Sequence, residues 1–189
     1  MSAVEVQGYG VSLPPAGNYG FDKAHTVVGF VARHMLTKVR GRFTAYDGAI
    51  RIAERPEDST VRVEVEMASV TSDHDQRDGH LRSADFFEID RFPTMTFEST
   101  AVRPTGGEGF ALDGTLTIKG ISKPVTLQAS FEGWGPGMQP DSTVAAFSAK
   151  TTIDREDWDL TWNMAVETGG FLVSKKVDIE IETELQLIT

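Results

Sequence analysis

Lys176-Val177-Asp178-Ile179-Glu180-Ile181-Glu182-Thr183-Glu184-Leu185-Gln186-Leu187 is the stretch on which the fold turns. Val177, Ile179, Ile181, Leu185 and Leu187 share one parity; Lys176, Asp178, Glu180, Glu182, Glu184 and Gln186 take the other. Successive side chains of a strand point to opposite faces, so this segment reads as a long strand with one buried and one wet face. A helix would spread the same acids around its whole circumference.

The alternation runs back through the chain. Val61, Val63, Val65 and Met67 alternate with Arg62, Glu64 and Glu66, and Met95, Phe97, Ser99 and Ala101 with Thr96, Glu98 and Thr100. Phe110, Leu112, Gly114, Leu116 and Ile118 oppose Thr115, Thr117 and Lys119. Val125, Leu127, Ala129 and Phe131 oppose Thr126, Gln128, Ser130 and Glu132, and Ala145, Phe147, Ala149, Thr151 and Ile153 form a further set. Nearer the amino terminus Val28, Phe30 and Ala32 alternate with Val31 and Arg33, and Phe43 to Ile52 reads as one more strand. Phe43 and Ile50 differ in parity, which predicts a bulge near Tyr46–Gly48.

The separators are turn formers: Arg55-Pro56-Glu57-Asp58, Pro104-Thr105-Gly106-Gly107, Lys119-Gly120 and Gly133 to Pro140. Short separators favour antiparallel neighbours, because parallel pairing needs a long crossover. Two stretches break the pattern. Residues 73–92 (DHDQRDGHLRSADFFEIDRF) are long and charged enough for a helical turn or two, and residues 154–171 (DREDWDLTWNMAVETGGF) are irregular. Residues 1–17, Gly/Pro-rich and weakly patterned, read as an arm on a single domain of residues 18–189. The fold class is all-β. Eight or nine one-sided strands can close into a barrel or stack as a sandwich, and the pattern fits both. The small inward residues Gly114, Ala129, Ala145 and Ala149 either fill a taper or leave a lumen.

Composition bounds the function. Of 189 residues 40% are hydrophobic and 24% charged, and no apolar run approaches the ~18 residues that cross a bilayer. The chain is long enough to bury a core without disulfide or metal staples. A net charge of −10, with bases scattered rather than gathered in one stripe, argues against nucleic acid as a partner. It also argues against stable membrane insertion or lasting adhesion to an anionic surface. Cysteine is absent, which removes disulfides, thiolate catalysis and thiolate zinc sites. The opening MSAVEVQGYGVSLPPAG has no basic start and no apolar core, so a cytoplasmic location is expected, or a periplasmic or secreted one for a chain whose leader has been removed.

A series of blocks resembles the YceI-like family. It begins with Asn18-Tyr19-Gly20-Phe21-Asp22 and His25-Thr26-Val27-Val28-Gly29-Phe30, then Val31-Ala32-Arg33-His34 and Lys38-Val39-Arg40-Gly41-Arg42-Phe43. The strongest block is Arg77-Asp78-Gly79-His80-Leu81-Arg82-Ser83-Ala84-Asp85-Phe86-Phe87-Glu88, with Arg91-Phe92-Pro93 behind it. Leu116-Thr117-Ile118-Lys119-Gly120-Ile121-Ser122-Lys123-Pro124-Val125 and Asp154-Arg155 complete the series, which spans roughly residues 18–188. Trp158 stands where the family usually has Phe, and the family's common secretory leader is not seen. The resemblance implies an extended eight-stranded antiparallel lipocalin-like barrel with one or two short helices. It further implies non-catalytic carriage of a polyisoprenoid, an isoprenoid quinone or a fatty-chain lipid in the interior, and homodimers in several members.

On that reading the expected tunnel lining is Phe30, Phe43, Met95, Phe97, Phe110, Leu116, Leu127, Phe131, Phe147, Trp158, Trp162 and Met164. The same residues can equally pack against one another. Phe86, Phe87 and Phe92 either close one end or pin segment 73–92 to the barrel. Arg77, Asp78, Arg82 and Asp85 are expected to form a salt-bridged support for that segment.

Rival chemistry finds little footing. His25, His34, His74 and His80 show no His-x-His or His-x₃-His spacing, so no metal site is expected. Asp73-x-Asp75-x-x-Asp78-Gly79 hints at a calcium loop, but Arg77 and Ala84 occupy ligand positions. Asp157 and Asp159 would share a face if extended, as a hydrolase pair could. There is neither a G-x-S-x-G elbow nor a phosphate loop. No catalytic residue and no cofactor beyond a bound lipid are expected. An enzyme of isoprenoid or stress metabolism and a solid barrel that binds other proteins are the alternatives.

Overall fold

The structure is a computed structural model, and residues 12–165 and 172–188 are described. The alternating segments form β1 (Gly17–Phe21), β2 (Val27–His34), β3 (Thr37–Phe43), β4 (Tyr46–Ile52), β5 (Thr60–Glu66), β6 (Val70–Thr71), β7 (Thr94–Gly106), β8 (Gly109–Ile118), β9 (Ile121–Pro136), β10 (Thr143–Asp154) and β11 (Val173–Leu187). One helix, α1 (Asp75–Arg82), and 3₁₀ turns at Pro56–Asp58, Met67–Ser69 and Arg155–Trp158 interrupt them.

The strand order β1-β4-β5-β7-β8-β9-β10-β11 returns to β1 through the β1–β11 pairing, so the sheet closes as an eight-stranded antiparallel barrel. Closure removes the edges a sandwich would leave. β2, β3 and β6 branch from the ring. β11 is long enough to pair with β1 near its end (Tyr19↔Leu187) and with β2 further back (Val28↔Ile181). The hairpin of the branch (Phe30↔Gly41) continues into the ring hairpin (Tyr19↔Ile50). β1 and β2, like β3 and β4, are therefore two halves of one long broken strand.

The breaks have local causes. Between β1 and β2 the side chain of Asp22 accepts the amide of Ala24 at 2.9 Å, and buried Thr26 shares a 2.9 Å hydroxyl contact with Thr183. The second break corrects the sequence reading of Phe43 to Ile52 as one bulged strand. Thr44 and Ala45 leave the ladder, Thr44 N–H donating to Ser69 O and Ala45 O accepting from Glu66 N–H. Phe43 and Tyr46, of opposite parity, are then both buried.

Three more expectations change. A register shift between Ser99 and Ala101 pairs Ala101 with Asp113 and Val102 with Leu112, so Val102 rather than Ala101 joins the inner set. Val31, on the outer parity, is only 4% exposed. Of the arm, residues 1–11 lie outside the described residues, whereas Leu13 is buried in the core. Ser12 O accepts the indole N–H of Trp134 at 3.2 Å and Pro15 O accepts the hydroxyl of Tyr19 at 2.7 Å, so residues 12–16 are built into the upper end of the barrel.

The turn between β8 and β9 is as read from the sequence. Lys119 (φ 50°) and Gly120 (φ 72°) are both left-handed, the geometry of a tight two-residue hairpin.

Candidate ligand cavity

The inner faces enclose a cavity of about 230 Å³. Its wall runs from Leu13, Ile52 and Pro56 at the upper end, past Val61, Phe110 and Leu127, to Met95, Phe97 and Leu116 below. The side chains that face it are almost wholly apolar, because strand parity puts every charged partner on the outer face. Among the described residues no Asp, Glu, His or Lys lines it. Arg51 touches the wall, but it is exposed and its guanidinium donates to Asp58 O at 3.1 Å.

Met95, Phe97, Phe110, Leu116, Leu127 and Phe147 line this cavity. The other six residues expected there are placed elsewhere. Phe131 is buried behind Phe147, ring centroids 5.3 Å apart, in the upper cluster with Tyr19 and Leu185. Phe43 belongs to the cluster beneath the branch strands, with Phe30 at 5.8 Å and Phe87 at 6.1 Å. Trp158 lies across the lower end and donates its indole N–H to Leu116 O at 3.1 Å. Trp162 stacks edge-on against His80 at 4.5 Å, beside Phe86, and Met164 is 56% exposed. The physical reason is common to the last three: they follow β10, where the alternation has ended and parity no longer aims a side chain.

What the expected set missed is aliphatic. Val28, Ile50, Val63, Val125, Ile179 and Ile181 also line the wall. Most carried the right parity in the sequence; preferring rings over β-branched side chains hid them.

The lower end is closed by α1 and residues 155–165. Phe86 packs with Trp158 and Leu160, and Phe87 bridges this cluster and the branch, so these rings both close the end and pin the segment. Phe92 instead sits under the guanidinium of Arg91, 4.9 Å away. The polar support differs from a salt-bridged set. Buried Asp78 accepts from the Ser72 amide (2.8 Å), the Ser72 hydroxyl (2.5 Å) and the Thr71 hydroxyl (3.0 Å). Arg77 donates to Ser72 Oγ, Arg82 to the carbonyls of Ala68 and Val70, and Asp85 pairs with His80 at 2.9 Å. Burial works to raise the carboxyl pKa of Asp78, but the bonds from Ser72 and Thr71 outweigh it and the net shift is downward. Buried Arg155 ties Ser174 O (2.9 Å) and Leu160 O together.

One polar group escaped the spacing test. Asp22, His25 and Glu184 bring one donor atom each within 4.8 Å of one another at the β1–β2 break. His25 Nδ1 lies 2.9 Å from Asp22 Oδ2, which raises the histidine pKa and lowers that of the acid. Since Asp22 N–H also donates to Glu184 O, the group clasps the strand junction. Asp157 and Asp159 do not form an extended pair: the chain turns at Asp159, φ 57°.

The ring strands thus form a closed, lipocalin-like antiparallel barrel around an apolar cavity. The chain belongs to the YceI-like family, whose domain model, the YceI-like domain, matches residues 19–185. It is 34% identical over 173 residues to a UPF0312 protein of Staphylococcus aureus, covering 90% of this chain and 98% of that one. A UPF0312 protein of Azotobacter vinelandii is 35% identical over 180 residues, 93% and 90% of the two chains. Among solved structures, the Campylobacter jejuni YCEI protein superposes with TM-score 0.71 at 28% identity over 82% of this chain and 88% of that one. A polyisoprenoid binding domain from Saccharophagus degradans gives TM-score 0.67 at 14% identity over 92% of this chain and all of the other, a likeness of fold alone.

Proposed function

We propose that the protein binds a long apolar chain, a polyisoprenoid, an isoprenoid quinone or a fatty-chain lipid, inside the barrel and carries it without chemical change. The observation that carries this reading is the cavity: walled by all eight ring strands, lined by hydrocarbon, with no acid, histidine or lysine facing in among the described residues. Such a wall offers an aliphatic tail only area and shape. At ~25 cal/mol per Å², a tail burying about 400 Å² gains roughly 10 kcal/mol gross, from which association costs are taken. The volume of about 230 Å³ is just below the ~300–1,000 Å³ of drug-sized pockets, so on this reading Met95 and the phenyl rings must turn aside for a longer chain to enter.

Organic extraction of the protein purified without detergent, followed by mass spectrometry, tests the reading. A chain lipid near one per protein is expected. Empty protein that also fails to take up added farnesol or ubiquinone overturns it.

A further inference from the structure

The β2–β3 hairpin ends in two exposed apolar side chains, Met35 (51%) and Leu36 (89%). Met164 (56% exposed) is brought to the same place: Met35 N–H donates to Leu172 O at 2.8 Å, and Leu172 N–H donates to Met164 O at 2.9 Å. Three of the six exposed large hydrophobics among the described residues thus gather at one tip.

The hairpin is also the basic part of an acidic chain. Residues 23–46 hold Lys23, Arg33, Lys38, Arg40 and Arg42 and no Asp or Glu, where an even spread of the 28 acids would place about three or four. Arg40 is neutralised by Glu180 (2.6 Å) and Arg42 by Asp73 (2.9 Å). Arg33 and Lys38 differ. They face each other directly in the ladder, flank the apolar tip, are exposed, and form no ion pair among the described residues. Like charges opposite each other across a strand pair repel. An external anion relieves that repulsion.

We infer that this tip docks on the surface of an anionic lipid bilayer, with Met35, Leu36 and Met164 entering the interface and Arg33 and Lys38 meeting the headgroups. Interfacial binding combines buried apolar area with attraction between bases and anionic lipid, and the attraction fades within a Debye length. The net charge of −10 repels the rest of the molecule from such a surface, so contact is oriented and reversible. Averaging charge over the chain conceals the site, because the averaging ignores where the bases stand. A second copy on the tip across a two-fold axis would set Arg33 and Lys38 against their own copies.

The inference does not rest on the cargo: loss of vesicle binding leaves the lipid extraction result standing, and the reverse also holds. The test is sedimentation of the full chain with vesicles of phosphatidylglycerol and phosphatidylcholine against phosphatidylcholine alone, at low and high salt. Binding is expected only with phosphatidylglycerol and only at low salt. Leu36→Ser should weaken it about fivefold and Arg33→Gln/Lys38→Gln at least about tenfold. Met138→Ser, at an equally exposed position in the β9–β10 turn, should leave it unchanged. The side chains changed are exposed, and circular dichroism verifies that each variant is folded. Absence of phosphatidylglycerol-dependent binding overturns the inference, as does equal loss in Leu36→Ser and Met138→Ser. Sedimentation velocity showing a dimer that Leu36→Ser dissociates assigns the tip to a second copy and overturns it too.

Discussion

The indole Nε1 of Trp158 donates to Leu116 O at 3.1 Å, fastening the segment that crosses the lower end of the barrel to a strand whose side chain lines the cavity. Trp158 is 2% exposed, so packing and hydrogen bond act together. Trp158→Phe keeps a ring and removes one N–H bond, costing about 1 kcal/mol. Trp158→Ala leaves a void and costs about 3–5 kcal/mol. Urea midpoints should fall in that order at constant m-value.

Cavity occupancy should follow the inner parity. Leu127→Asp puts an unpaired charge into a hydrocarbon wall and should abolish lipid retention. Ala149→Phe fills the space without a charge and should lower retention in folded protein. Thr126→Val, one residue away on the outer face, should retain lipid as the wild type does. Lipid per protein, measured by extraction, checks all three.

Thr126 and Arg103 hold the carboxyl of Asp113 at a pKa of about 2, the arginine bond being the larger cause. Thr126→Val removes one donor, and the Asp113 pKa should rise toward the ordinary carboxylate range. Carboxyl NMR titration reads this directly.

Gly41 and Gly114 both face aromatic rings, with unequal consequences. A Cβ at Gly41 would come within 2.8 Å of three ring atoms of Phe30, a side chain able to move. At Gly114 it would meet the Phe97 ring and also Glu98 O at 2.6 Å, which is backbone. Gly114→Ala should therefore cost about 1–3 kcal/mol and exceed Gly41→Ala, as thermal unfolding would show.

Asp78 ties stability to acid pH. Its folded pKa lies below the ordinary value, so its contribution is complete above the unfolded pKa of about 3.9 and is lost as pH falls through the folded one. Asp78→Asn should be less stable near neutrality by about 1.5–3 kcal/mol, and the gap to wild type should close in strong acid.

Much of the wall was legible in the chain because period-two alternation aims side chains before any contact forms. β5, β8, β9, β10 and β11 are where the alternating runs put them, and the inner parity of Phe97, Leu116 and Leu127 led to the cavity. Reading failed where alternation stops or slips. Trp158, Trp162 and Met164 follow the end of β10, and the shift beside Thr100 moved Ala101 outward. Asp22, His25 and Glu184 met across β11, a distance no spacing rule spans.

The sequence by itself determined which face of each strand is dry, since that depends only on local order of polar and apolar residues. Whether those dry faces met as a sandwich, a solid barrel or a hollow one was decided only in three dimensions. Closure depends on β11 reaching β1, and the hollow depends on how the inner side chains fill the ring, and both are long-range sums over the whole sheet.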